Sequence, residues 1–204
     1  MVISTVGARP NFMKMAPIIH AVNKLEISNM LVHTGQHYDE NMSKVFIEDL
    51  KMPVPDIFLG VGSGSHAEIT AKIMVEFEKI CIKNNPELVI VVGDVNSTIA
   101  CSIVAKSFNV KLVHVEAGIR SFDSEMPEEI NRRLIDKLSD ILFVPTYFDI
   151  INLKRENLFK NKKVFKVGNT ISDIVKSNLP MLNKNNILQK MNLKKKNFFL
   201  ATLH

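Results

Sequence analysis

Two strand-length apolar runs, Leu88–Val92 and Leu112–Val115, constrain this chain more than any other feature. Neither shows the polar alternation of a strand with one wet face, so both must be covered on two sides. Strands of that kind belong to parallel sheets with helices packed on both faces. The segment between them, Ser97–Ser107, has helical character, which makes the trio a strand–helix–strand unit.

The same alternation runs through most of the chain. Val2–Val6 reads as a strand, and Asn11–Lys24 as a helix with Phe12, Met15, Ile19 and Val22 at helical spacing. Met30–Thr34 is a second strand, Asn41–Leu50 a short helix and Asp56–Leu59 a weaker strand. Ile69, Ile73, Phe77 and Ile80 line one face of a long helix over His66–Lys83. Pro127–Lys137 follows with Pro at the first helical position. Ile141–Val144 and Val164–Val167 are further strands with a helix between them. The pattern predicts a doubly wound, mostly parallel, Rossmann-like α/β domain over residues 1–168.

After Gly168 the pattern changes. Thr170–Asn178 and Asn185–Met191 read as helices, and Phe198–Leu203 as a fresh apolar strand with His204 at its C-terminal edge. Residues 169–204 are therefore expected to be a linker and the start of an incomplete second domain.

Composition narrows the function classes. Hydrophobic residues make up 46% and charged residues 23%, so a packed core is expected rather than disorder. No apolar run reaches bilayer-spanning length, and no secretory signal is evident. Cys81 and Cys101 lie in apolar helical segments without metal-ligand spacing, which favours buried reduced thiols and a cytoplasmic setting. Residues 1–150 carry 14 Lys/Arg against 19 Asp/Glu, whereas residues 151–204 carry 12 against 2. That basic tail mixes Lys with Asn, has few aromatics and holds no recognition motif, so a solvated surface is expected rather than a nucleic-acid site.

The residues able to do chemistry gather at predicted strand ends. The first strand runs into Gly7-Ala8-Arg9-Pro10-Asn11-Phe12-Met13-Lys14, which sets Arg9 and Lys14 beside a helix N-terminus, a place that favours anions. The alternative is that both are ordinary surface cations. Asp94 follows the strand Leu88–Val92, where it could face ligand or cap the next helix. Glu116 leaves the next strand similarly; two carboxylates beside one crevice push their pKa values apart, giving a base and an acid. Its structural alternative is a Glu116–Arg120 pair holding the loop. In Pro127–Arg133, Glu128 shares a helix face with Arg132, and Glu129 with Arg133. No G-x-G-x-x-G loop, zinc spacing, serine elbow or Walker loop competes with this reading.

Five segments, GARPNFMK, VVGDVNST, HVEAGIRS, PEEINRR and VGNTISD, occur in this order. Together they resemble the signature segments of the non-hydrolysing UDP-N-acetylglucosamine 2-epimerases. The resemblance implies the N-terminal half of a glycosyltransferase-B-like two-domain fold, usually homodimeric, interconverting UDP-GlcNAc and UDP-ManNAc for polysaccharide precursors. It places Arg9 and Lys14 near phosphate or sugar, and Asp94, Glu116 and Glu128 as cleft carboxylates with Arg132 orienting or neutralising them. His204 matches the family histidine near the leaving UDP. No metal or redox cofactor is implied, and the partner is a UDP-sugar, with neither nucleic acid nor membrane. Related epimerases of uronate or diacetamido UDP-sugars share the opening, and a non-catalytic nucleotide-sugar-binding or dimerisation module is the alternative of another class. Gly35-Gln36-His37-Tyr38-Asp39 lacks the arginine of the Gln-His-Arg associated with an allosteric UDP-GlcNAc site in many bacterial members, so the resemblance does not carry that regulation over to this chain. Since the family continues well past the position of His204, little turnover is expected of these residues alone.

Overall fold

The computed structural model describes residues 1–35, 47–182 and 186–202. Strands and helices alternate along them: β1 (Val2–Val6), α1 (Arg9–Lys24), β2 (Asn29–His33), β3 (Ile57–Phe58), α2 (His66–Asn84), β4 (Leu88–Val92), α3 (Asn96–Ser107), β5 (Lys111–Val115), α4 (Pro127–Leu138), β6 (Ile141–Val144), α5 (Tyr147–Arg155), β7 (Lys163–Lys166), α6 (Thr170–Leu182) and α7 (Ile187–Lys190). The strands form one sheet in the order β3-β2-β1-β4-β5-β6-β7. Every pairing is parallel, from Val32↔Ile57 at one edge to Val144↔Lys166 at the other.

The two apolar runs behave as their composition requires. Val89 and Val91 of β4 join Leu112 of β5 in a core with Ile73 and Phe77 of α2, Cys101 and Val104 of α3, and Ile135 of α4. Ile90, Val92, Val113 and Val115 point to the other face, against Phe12, Met15 and Ile19 of α1. Successive residues thus feed opposite cores, which is the period of two expected of a strand buried on both sides. Cys81 and Cys101 are free and buried, and burial pushes the Cys81 thiol up to about 11, so neither is poised to react.

Local chemistry sets several boundaries. Ser65 caps α2 by accepting from the Glu68 amide at 3.3 Å, while the Glu68 carboxylate accepts from the Ser65 amide at 2.8 Å. Thr146 and Asp149 make the same reciprocal cap on α5. Lys162 Nζ donates to the Lys137 and Ser139 carbonyls, satisfying the C-terminal end of α4.

The end of the chain departs from expectation. Residues 198–202 form no strand, and Phe199 and Leu200 are exposed. An isolated extended segment has no neighbour to take its backbone hydrogen bonds, so apolar composition alone does not make it a strand. The expected Asn185–Met191 helix contracts to the four residues of α7, whereas α6 runs beyond Asn178 to Leu182 and packs Ile174 against the α1 core. Of the expected Asn41–Leu50 helix, residues 41–46 lie outside the described residues, and 47–49 are helical.

Candidate active site

The strand order reverses between β1 and β4, and the crevice outside their carboxyl ends is where open α/β sheets take ligands. The chain there is drawn tight. A side-chain carbon on Gly7 would lie 2.0 Å from Ser97 Oγ and 2.8 Å from Thr34 Oγ1, so only glycine fits between α3 and the residue that follows β2. Asn11 stitches the start of α1 to the end of β4. Its Oδ1 accepts from the Ala8 amide at 3.1 Å, and its Nδ2 donates to the Val92 carbonyl at 2.7 Å. Asn11 is itself buried, so these bonds stabilise the turn by more than an exposed pair would.

That stitching sets Lys14 over the strand tips. Its ammonium lies 2.5 Å from Glu116 Oε2, with both side chains largely out of solvent. Glu116 leaves β5 with φ at 70°, the left-handed conformation that non-glycine residues seldom adopt. The turn is tied down on both sides of it: the Ala117 amide donates to Phe143 and the Gly118 amide to Asp136 Oδ2. Held strain of this kind is found where function requires an orientation the strand would not itself produce.

Asp94 stands at the end of the adjacent strand. It does not cap α3: the N-cap is Val95, and no side chain accepts there. Instead Arg132 of α4 donates to Asp94 Oδ2 through Nε at 2.8 Å and Nη2 at 2.6 Å. Asn131 Nδ2 also donates to the Asp94 carbonyl at 2.8 Å, so one turn of α4 holds both ends of this residue. Arg132 is shared with Glu129, whose Oε2 lies 3.2 Å from Nη1.

Two expected pairings are replaced. Glu116 engages Lys14, while Arg120 turns inward to Asp136 and Glu156 at 2.8 Å each. On α4, Glu129 takes both Arg132 and Arg133, whereas Glu128 is half-buried and makes no ion pair among the described residues. Glu129 also accepts from the amide and hydroxyl of Ser121, which anchors the loop after β5. Burial opposes its charge, but the Ser121 amide, Arg133, Arg132 and the Ser121 hydroxyl outweigh that and hold the carboxyl below its usual range.

Lys14, Glu116, Asp94 and Arg132 therefore converge at the carboxyl ends of β4 and β5. Arg9 opens α1 at the same edge, with its side chain outside the described set, and His204 and Gln36–Asp39 lie outside the described residues. Asn11, Asn131 and Glu129 were missed as members of the site, as were His114, Asp136 and Glu156 behind it. One signal was available: His114 is the single polar residue in the Leu112–Val115 run, and a polar group there must find a buried partner.

The epimerase family model, described as UDP-N-acetylglucosamine 2-epimerase, matches residues 20–204. A UDP-N-acetylglucosamine 2-epimerase of Methanocaldococcus jannaschii is 46% identical over 98% of this chain and 55% of its own length. The crystal structure of the enzyme of that organism with UDP-GlcNAc and UDP superposes with a TM-score of 0.88 at 45% identity, covering 94% of this chain and 53% of that one. A UDP-2,3-diacetamido-2,3-dideoxy-D-glucuronate 2-epimerase of Pseudomonas aeruginosa is 43% identical over 84% of this chain and 49% of its own length. The chain spans about half the length of the curated relatives it matches.

Proposed function

Because the chain belongs to the UDP-N-acetylglucosamine 2-epimerase family, we propose that it supplies the acid–base half of a cleft interconverting UDP-GlcNAc and UDP-ManNAc. The observation that carries this reading is the convergence of two carboxylates, each paired with a cation, at the carboxyl ends of β4 and β5: Glu116 with Lys14 and Asp94 with Arg132.

The chemistry explains why such a set is needed. The proton on C2 of an N-acetyl sugar has no neighbouring carbonyl to acidify it, so direct removal is difficult. Elimination circumvents this: the C1–O bond to UDP breaks, the C2 proton goes to a base, and 2-acetamidoglucal and UDP result. Re-addition of UDP to C1, with a proton delivered to the opposite face of C2, gives the epimer. Positive charge develops at C1 and negative charge on the departing phosphate. Asp94, Glu116 and Glu128 are the groups available to take and return the proton and to face C1. Lys14, Arg132 and Arg9 oppose the phosphate charge, with His204 beside the leaving group. The scheme uses no metal or redox cofactor.

On this reading residues 1–168 form the first domain and residues 169–204 lead into a second, nucleotide-binding one. The exposed apolar stretch Phe198–Leu200 supports that, as surface awaiting cover. Two further readings rest on the same family: a homodimer, supported by the exposed Val75, Ile82, Ile130 and Leu134 on α2 and α4, and a cytoplasmic location, supported by the free cysteines. No helix among the described residues is long and apolar enough to cross a membrane.

The test is incubation with UDP-GlcNAc in D2O, following deuterium at C2 by NMR, for this chain and for a form extended to the length of its relatives. Exchange with UDP-ManNAc formation is expected from the extended form, and binding without turnover from the present chain. A diacetamido-glucuronate UDP-sugar is assayed alongside, because a relative of that specificity is 43% identical. Preferential turnover of that sugar moves the assignment to the second substrate, and no turnover of either overturns it.

A further inference from the structure

Behind the cleft lies a buried polar chain attached to the turns that carry the cleft carboxylates. His114 is fully enclosed. Its Nδ1 lies 2.7 Å from Asp136 Oδ1 and its Nε2 2.9 Å from the Gly93 carbonyl. Asp136, also fully buried, accepts at Oδ2 from the Gly118 amide at 3.0 Å and from Arg120 at 2.8 Å. Arg120 in turn forms a two-pronged pair with Glu156, through Nε and Nη2 at 2.8 Å each.

Asp136 takes a guanidinium and an amide on its other oxygen, an environment that holds its carboxyl below the usual range against the cost of burial. The His114 ring therefore spans two fixed partners, the Gly93 carbonyl and the Asp136 carboxylate.

The attachments of this cluster are specific. Gly93 precedes Asp94, and Gly118 is two residues beyond Glu116. The Gly93 amide also donates to the Val115 carbonyl at 3.1 Å. One end of the His114–Asp136 pair thus holds the turn carrying Asp94, and the other holds the turn carrying Glu116. We propose that His114 is a positioning residue, a buried ring that with Asp136 clamps the Asp94 and Glu116 turns in fixed register across the cleft. The catalytic part of this inference rests on the epimerase reading; the clamp does not.

The experiment has two parts, which keeps the failure of one reading distinct from the other. First, amide hydrogen exchange in the unsubstituted chain reads Gly93 and Gly118 directly. Both are expected to be protected; free exchange at either overturns the proposal. Second, His114→Gln keeps a donor but cannot span both partners. The Gly93 and Gly118 amides are expected to lose hydrogen-exchange protection in that variant. In the extended form kcat for C2 exchange is expected to fall about a hundredfold with KM little changed, as for a small misplacement of reacting groups. Intact protection at both glycines, or a rise in KM with kcat unchanged, overturns the clamp. Where the unsubstituted extended protein shows no C2 exchange, the epimerase reading fails while the glycine measurements still decide the clamp. Should His114→Gln fail to fold, the glycine exchange of the unsubstituted chain decides alone.

Discussion

Gly118 and Gly168 form a matched pair for testing how tightly the turn behind Glu116 is packed. Both have φ at 85°, so an alanine at either meets the same backbone strain. That strain is about 1–2 kcal/mol for an L-residue in the left-handed region. Their surroundings differ completely. A Cβ at Gly168 would have nothing within 4 Å, whereas one at Gly118 would lie 2.6 Å from the Asp149 carbonyl oxygen and 3.0 Å from its carbon. Those atoms belong to the first turn of α5, and Asn152 of the same helix donates to the Gly118 carbonyl at 3.0 Å, so the helix cannot retreat without breaking that bond. Overpacking against a fixed backbone adds about 1–3 kcal/mol. Gly168→Ala is therefore expected to cost about 1–2 kcal/mol, and Gly118→Ala about 2–5 kcal/mol once the clash is included. Urea unfolding of the three proteins under identical conditions measures the difference. Equal losses in the two variants would refute the claim that close approach, rather than backbone conformation, dictates glycine at 118.

Three further expectations follow from the same geometry. His33, stacked between Phe12 and Phe58, accepts from the Gly35 amide at Nδ1, and burial lowers its pKa from 6.5 to about 4. The folded state therefore disfavours the protonated ring: its contribution is complete above pH 6.5 and is lost as pH falls towards 4, amounting to about 3 kcal/mol. Urea unfolding between pH 7.5 and 4 should show this slope, and His33→Gln should flatten it. Glu129→Gln removes the buried charge facing Arg132 and Arg133; it should cost about 2–3 kcal/mol and speed hydrogen exchange at Ser121, with unchanged exchange refuting the anchor. Lys14→Met and Glu116→Gln, singly and together, should give a coupling of about 0.5–3 kcal/mol in a double-mutant cycle of stability, and additivity would mean that the pair does not interact.

How far the sequence could be read depended on the range of the physics involved. Strands buried on both faces announce themselves locally, so β4 and β5 were legible almost residue for residue, as was the helix from His66. The order of strands was not, because it follows from which faces the helices cover. The sites at strand ends were legible as places, but their partners were not. Glu128 and Glu129 are neighbours on one helix, pointing in different directions, and only the position of α4 against the β5 loop selects Glu129 for burial. Asp94 next to a helix start reads as a cap, yet the Arg132 guanidinium on α4, with two nitrogens on one carboxylate oxygen, competes for it and takes it. Phe198–Leu203 failed for the opposite reason: composition favours a strand, but no neighbouring strand meets its described part.

The interior place of β1 has a consequence for how this chain comes to be folded. Val2 pairs with Asn29 on one side and with Leu88 on the other. Parallel neighbours cannot be joined by a tight hairpin, so each pairing waits for a crossover to be completed. Closing such long segments makes sheets of this kind slow to form. During synthesis β1 emerges before the other six strands, acquires β2 early, and keeps its other edge bare until β4 has been made. A chain halted before Leu88 carries that bare edge with an apolar face behind it, a surface that recruits other strands. Of the seven strands β1 is thus exposed the longest, and the yield of soluble protein should depend on how quickly translation passes from residue 33 to residue 92.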